Sequence, residues 1–314
     1  MFSLGVVIVT IMSNAAVLIS IPMHVQLYRA LKQMKKNLNT SFHVLVRHIS
    51  VLSLISSILH ILVEVPFQHP PLDTVVPGHP FWENIVGYLI DIESYQLSTA
   101  ITFMHVFTAL NRFLAIILPE QYQRIMTIRT TTIFCYSATV FMIATRLPTL
   151  WPVTWVAFHP VDNTINTMYT LRSQSIKEVY TTSLIVVGFV AFLFIYLCYA
   201  VIAIKLFADS VLSHNKSVQK SAKITTLAAA IMMLGTVFTI NLILAQQYCW
   251  YVLHRNILPV DWLRCLLGAG NCFNLTIHPW CLMMLFPDIR KKMLNFGFVS
   301  DSRVSSSVFV TTTK

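Results

Sequence analysis

Apolar residues gather along the chain into seven long runs, at about 2–28, 42–66, 84–118, 131–152, 179–205, 224–249 and 262–286. A helix needs about 20 predominantly apolar residues to cross a bilayer, and each run supplies them. The pattern therefore predicts seven membrane-spanning helices joined by short loops, with no soluble domain between them. The third run is long and studded with polar residues, as expected of a tilted helix surrounded by others. The first lacks the basic leader of a signal peptide and is long enough to span, so it reads as the first membrane helix. After the seventh run the pattern changes. Pro287 and Asp288 suit a helix start, and Ile289, Met293 and Phe296 share a face of a basic segment. This predicts a short amphipathic helix over 287–298 with that face toward lipid. The remainder, 299–314, is rich in Ser and Thr and reads as a disordered tail offering phosphorylation sites.

Composition sets the class. Of 314 residues, 56% are hydrophobic and 11% charged, with a mean hydropathy of +0.68, whereas soluble domains carry about 25% charged residues. The chain reads as an all-α integral membrane protein whose seven-helix bundle occupies 1–298. Its formal charge of +10 would suit nucleic acid, but the distribution argues otherwise. One side of the proposed bundle carries sixteen basic residues: Arg29, Lys32, Lys35, Lys36, Arg112, Arg124, Arg129, Lys205, Lys216, Lys220, Lys223, Arg290, Lys291, Lys292, Arg303 and Lys314. The other carries Arg172, Lys177 and Arg255. Basic loops stay in the cytoplasm, so the N-terminus is expected outside and the C-terminus inside. The charge is topological, and no nucleic-acid partner is expected. Trp82, Trp151, Trp155, Trp250 and Trp262 fall at the proposed outer ends, as an interfacial aromatic belt would. Sequons at Asn39, Asn215 and Asn274 fall in cytoplasmic loops or a span, and none should be glycosylated.

Site chemistry inside the spans is sparse. The eleven histidines show no ligand spacing, and no metal site or cofactor is expected. No nucleophile elbow, HExxH or phosphate loop appears, so the chain does not read as an enzyme. The six cysteines lack zinc spacing and fall mostly in apolar runs, where a thiol acts as a small hydrophobe. Cys249 and Cys265 lie near the outer ends of adjacent spans, and there either a disulfide or two free thiols would fit. Asn241, Gln246, Gln247, Asn271 and Asn274 read as interhelical hydrogen-bonding groups. Arg146 suits a structural pair with Asp162 or Glu178, or a ligand clamp. Arg47 and His48 fall where snorkelling to the interface is the default.

One stretch stands apart. In Leu110–Ile125, "LNRFLAIILPEQYQRI", Arg112 follows some thirty mostly apolar residues. A cation there must lie at a membrane edge or in a protein cavity. Asn111, Arg112 and Phe113, followed by Ala115-Ile116, Pro119 and Tyr122, resemble the D/E-R-Y…A-I…P…Y stretch of rhodopsin-like G-protein-coupled receptors. In the seventh run, His278-Pro279 with Leu282 and Phe286 resembles that family's N-P-x-x-Y…F motif. The departures are specific. Asn111 replaces an acid, His278 and Leu282 replace Asn and Tyr, and the sixth run has no proline. The second run has no acid in its core for a sodium site. The usual disulfide from the third helix to the second outer loop has no cysteines to make it. With these features the chain resembles nematode serpentine chemoreceptors of the gamma/V-class superfamily, class V above all.

That resemblance implies a chemosensory receptor in the plasma membrane, by family habit of a sensory neuron. Its partners would be a small-molecule ligand, a heterotrimeric G protein and the lipid bilayer. It also implies that Asn111, Arg112, Phe113, Pro119, Tyr122, His278 and Pro279 form the coupling switch. In the family the main third-helix ligand contact lies eighteen residues before the arginine, here Ser94, about 27 Å up a helix. Helical spacing adds Asp91, Tyr95 and Ser98 to that face as ligand-binding candidates. Bonds to neighbouring helices from Ser94 and Ser98, with Asp91 in outer water, are the plainer alternative. Glu93 falls on another face and reads as interfacial. The seventh run has no lysine, which excludes a retinal Schiff base there. A small-solute transporter or ligand-gated channel is the competing function, though the spans lack the repeats and broken-helix pairs it would need. A receptor-like protein without signalling is a third reading, because the acid beside Arg112 is missing.

Overall fold

Side-chain bonds between neighbouring helices reveal how the apolar runs are assembled. The computed structural model describes residues 4–34, 40–68, 80–144, 156–160, 167–171, 174–212, 216–253 and 258–294. The helices are α1 (Leu4–Met34), α2 (Ser41–Leu59), α3 (Val65–Gln68), α4 (Pro80–Asp91), α5 (Ser98–Ile117), α6 (Pro119–Ile125) and α7 (Ile128–Ala144). After a two-stranded ribbon come α8 (Gln174–Leu212), α9 (Lys216–Met232), α10 (Leu234–Leu253), α11 (Val260–Leu285) and α12 (Pro287–Leu294). Single π turns, His60–Glu64 and Ile92–Leu97, join α2 to α3 and α4 to α5.

Paired contacts fix the helix directions. His24 meets Ser50 while His60 meets Asn14, so α1 and α2 run antiparallel. Asn111 reaches Ser41 while Ser56 reaches Glu93, so α2 and the α4–α5 rod are antiparallel as well. Thr236 bonds Asn274 and Cys281 bonds Ala228, which makes the α9–α10 rod antiparallel to α11. His24 meets Leu275 and Thr10 meets Cys265, so α1 and α11 run side by side in one direction. The result is an up-and-down bundle with most of its described basic residues at one end. Leu4–Met34, Ser41–Glu64, Ser98–Ile117 and Val186–Ala208 are each long and apolar enough to cross a membrane. Lys223–Met232 and Leu234–Gln246 meet that standard together, bent by 42°.

The breaks have local causes. Pro66 has no N–H to donate and its ring crowds the carbonyl four residues back, so α2 cannot continue as a regular helix there. Instead Val65 N–H bonds the His60 carbonyl, five residues earlier, and the turn widens. The sixth rod bends without proline. At Met233 the amide bonds Ala230 rather than the carbonyl four back. Just beyond, Gly235 lies so close to α11 that a Cβ would stand 2.9 Å from the Asn274 Cα and N.

Four features depart from the sequence expectations. Residues Val156–Pro160 and Thr167–Leu171 pair as an antiparallel ribbon, with Phe158 opposite Tyr169, where the sequence predicts only loop. On α12, Ile289 and Met293 are buried, not lipid-facing; they complete a core with Leu27, Met34 and Phe42. Asn241 is exposed and bonds the Val237 carbonyl of its own helix instead of a neighbour. Asn274 does bond across helices, to Thr236, and it is buried. His48, expected to snorkel, bonds Thr139 of α7 at 2.9 Å and lies edge-on to Tyr136. Asn39, Arg146, Trp151, Trp155, Asp162, Asn215, Phe296 and the tail after 298 lie outside the described residues, as do the side chains of Trp82, Glu178, Gln247 and Trp250.

Candidate functional site

At the basic end, the second-last turn of α5 presents Asn111 and Arg112 toward α2. Arg112 Nη2 donates to Asn111 Oδ1 at 2.6 Å, and Asn111 Nδ2 donates to Ser41 Oγ at 2.7 Å. Ser41 Oγ in turn lies 2.8 Å from the Tyr122 hydroxyl on α6. The guanidinium sits 4.2 Å above the Phe42 ring, a cation–π contact worth about 0.5–2 kcal/mol. Arg112 is therefore held, among the described residues, by a neutral amide and a ring face. Its Nε has no hydrogen-bond partner among the described residues. Tyr199 of α8 lies within electrostatic reach, and its hydroxyl likewise has no partner among the described residues. Glu120, the acid on α6, is exposed.

The remaining members of the predicted switch serve around this network. Pro119 is the exposed first residue of α6, where its missing N–H costs nothing, and Leu118 breaks the helix before it. That break turns α6 back so that Tyr122 reaches Ser41. Phe113 is partly buried between two core clusters. Spacing along the chain hid Ser41, Phe42 and Tyr199, because they come from α2 and α8 and not from α5.

Deeper in the bundle lie His278 and Pro279. Pro279 cannot donate to the Leu275 carbonyl, and His24 of α1 takes up that acceptor at 2.7 Å through Nε2. A carbonyl only accepts, so His24 carries its proton on Nε2, and in the neutral ring Nδ1 accepts from Ser50 Oγ at 3.2 Å. His278 stacks on His105 of α5, with centroids 5.1 Å apart and planes at 14°. Neither nitrogen of His278 has a hydrogen-bond partner among the described residues. At this position the chain thus fills the core with a flat ring.

At the opposite end, the predicted ligand face falls on the turn Ile92–Leu97 and its flanks. Asp91 ends α4, Ser94 and Tyr95 lie in the π turn, and the side chains of all three lie outside the described residues. Ser98 opens α5 half-buried, and its carbonyl accepts from Thr102 Oγ1. A π turn holds about one residue more than an α turn, so the count back from Arg112 slips by one position. Glu93 is accordingly fully buried, not interfacial, and accepts from Ser56 Oγ at 3.0 Å. His60 and Glu64 stand beside it, a cluster that spacing along the chain did not reveal.

Cys249 and Cys265 are free thiols, not a disulfide. Cys265 is buried against α1, where its Sγ lies 3.6 Å from the Val6 carbonyl.

The model of the 7 transmembrane receptor (rhodopsin family) matches residues 85–274, more than half of the chain. No curated protein matches it at a significant level. The matched segment runs from α4 through the Arg112 network to Asn274 on α11, and the helices around it form the up-and-down bundle that such a match requires. The chain belongs to the rhodopsin family of seven-transmembrane receptors.

Proposed function

We propose that this receptor is a G-protein-coupled chemosensory receptor, with the basic end in the cytoplasm and the π-turn end facing outward. The observation that carries the reading is the Arg112 network. An arginine at the foot of α5, restrained among the described residues by a neutral amide and a ring face, is suited to exchange those contacts for a G protein when the bundle opens. The lysines and arginines at the same end support the orientation. Resemblance to the nematode serpentine chemoreceptors, class V above all, supports a small-molecule stimulus and a sensory-neuron membrane. The ligand would contact the segment carrying Asp91, Ser94, Tyr95 and Ser98. An irregular turn suits that role, since π turns recur at functional sites.

The test is a small-molecule screen of the receptor in cells with and without functional G proteins. Second-messenger responses that vanish without G protein are expected. Ligand-evoked current or solute uptake that persists without it would establish a channel or transporter instead.

A further inference from the structure

The end of the bundle opposite Arg112 gathers donor atoms that coupling does not use. His60 and Glu64 lie on the π turn that closes α2, and Glu93 on the π turn between α4 and α5. One ligand atom from each lies within 4.8 Å of the others. His60 Nδ1 stands 2.7 Å from Glu64 Oε2 and 3.9 Å from Glu93 Oε1. Glu93 is fully buried, the His60 side chain 8% exposed and that of Glu64 18%. Single π turns are rare and recur at functional sites. Here two of them come together, and between them they supply all three donors.

We propose that His60, Glu64 and Glu93 form a binding site for a divalent transition-metal ion of the zinc class. Zinc binds imidazole nitrogen and carboxylate oxygen at about 2.0–2.2 Å, which sets tetrahedral donors roughly 3.3–3.6 Å apart. The two distances from His60 Nδ1 straddle that spacing, so small side-chain shifts complete the geometry. Charge points the same way. A dication matches the charge of two carboxylates brought together inside a bundle. Calcium prefers six to eight oxygen ligands, which an imidazole-centred set does not provide.

The surroundings are arranged for a loaded ion. Metal binding takes the Nδ1 lone pair and releases any proton there to solvent, leaving the ring proton on Nε2. Asn14 Oδ1, 3.0 Å from Nε2, is placed to accept it and fix the ring. Ser56 Oγ holds Glu93 Oε1. Cys272 Sγ lies 3.6 Å from Nε2, on the other edge of the ring, and cannot share an ion with Nδ1. Three protein ligands leave one tetrahedral position for water. The ion would tie α2 to the α4–α5 hinge.

Full-length receptor, stripped with chelator and reconstituted in nanodiscs, would be titrated with Zn2+ alone, without G protein or agonist. One ion per receptor is expected, released on acidification and not displaced by Ca2+. X-ray absorption at the zinc edge should show an imidazole and oxygens, with no sulfur at about 2.3 Å. His60→Gln and Glu93→Gln should each weaken binding by about tenfold or more, while His48→Gln, elsewhere on α2, leaves it unchanged. Should either variant fail to fold, the wild-type spectrum decides. Absence of saturable binding, a sulfur-dominated spectrum, or folded variants that bind as the wild type does would each overturn the site. Because no signalling step enters the assay, its failure leaves the coupling proposal standing.

Discussion

His24 Nε2 lies 2.7 Å from the Leu275 carbonyl, the acceptor left open because Pro279 has no N–H to give it. A side chain from the first helix thus repairs the backbone of the last spanning helix. His24 itself is fully buried, so its second nitrogen needs a partner as well, and Ser50 of α2 supplies it. One ring joins three helices at mid-bundle.

His24→Ala should leave the Leu275 carbonyl unpaired and lower stability by about 1–3 kcal/mol. Adding Pro279→Ala should recover part of the loss, since the new amide can close the intrahelical bond. Thermal unfolding of the four purified proteins forms a double-mutant cycle. Strictly additive losses would show that the two residues do not act on one carbonyl.

Gly235 permits the close contact of α10 with α11. Gly235→Ala would drive a Cβ to 2.9 Å from the Asn274 backbone. The resulting overpacking should cost about 1–3 kcal/mol and loosen the Thr236–Asn274 bond. Gly268 has nothing within 4 Å of its Cβ position, so Gly268→Ala serves as the contrast. Helix propensity favours that change by about 0.8–1 kcal/mol. Opposite shifts in melting temperature are expected; equal destabilisation would contradict the close approach.

Asn111→Asp should lower ligand-independent signalling. The carboxylate would keep the contact with Arg112 and strengthen it to a charge-assisted bond worth about 1.5–3 kcal/mol. Ser41 can reverse its hydroxyl to donate to it while Tyr122 donates to Ser41, so the chain of bonds from α5 to α6 survives. Basal second-messenger output at matched surface expression measures the effect. Raised output would mean that the amide, not the arginine contact, restrains the resting state.

Orientation is checked by glycosylation. With the basic end in the cytoplasm, Asn39 and Asn215 are out of reach of the glycosylation machinery, and Asn274 is buried against Thr236. Endoglycosidase treatment should leave electrophoretic mobility unchanged. Glycan on Asn39 or Asn215 would invert the topology.

The bundle was legible in the sequence because seven apolar runs and a one-sided basic bias are long-range patterns that a membrane imposes directly. The Arg112 motif was legible because its residues are close together in the chain. Its restraints were not, since Ser41, Phe42 and Tyr199 arrive from other helices. The π turn at Ile92–Leu97 escaped because its stretch holds no proline or glycine to announce it. Counting α turns through it misassigned Glu93, which tertiary bonds to Ser56 and proximity to His60 draw inward. His60 and Glu64, four residues apart, carry no signal by themselves, because the third member of that cluster arrives from another part of the chain. On α12, Ile289 and Met293 were recognised as one face, yet amphipathic spacing does not say whether that face meets lipid or protein.

If Arg112 is a coupling element and not merely a basic residue marking the cytoplasmic side, G-protein activation should depend on its side chain. The most direct test compares wild type with Arg112→Ala in agonist-stimulated nucleotide exchange on a heterotrimeric G protein, using a ligand from the screen and matched surface expression. Wild type should accelerate exchange, and the variant should lose that activity while ligand binding stays largely intact. A well-expressed Arg112→Ala receptor that drives exchange as fast as wild type would contradict the account.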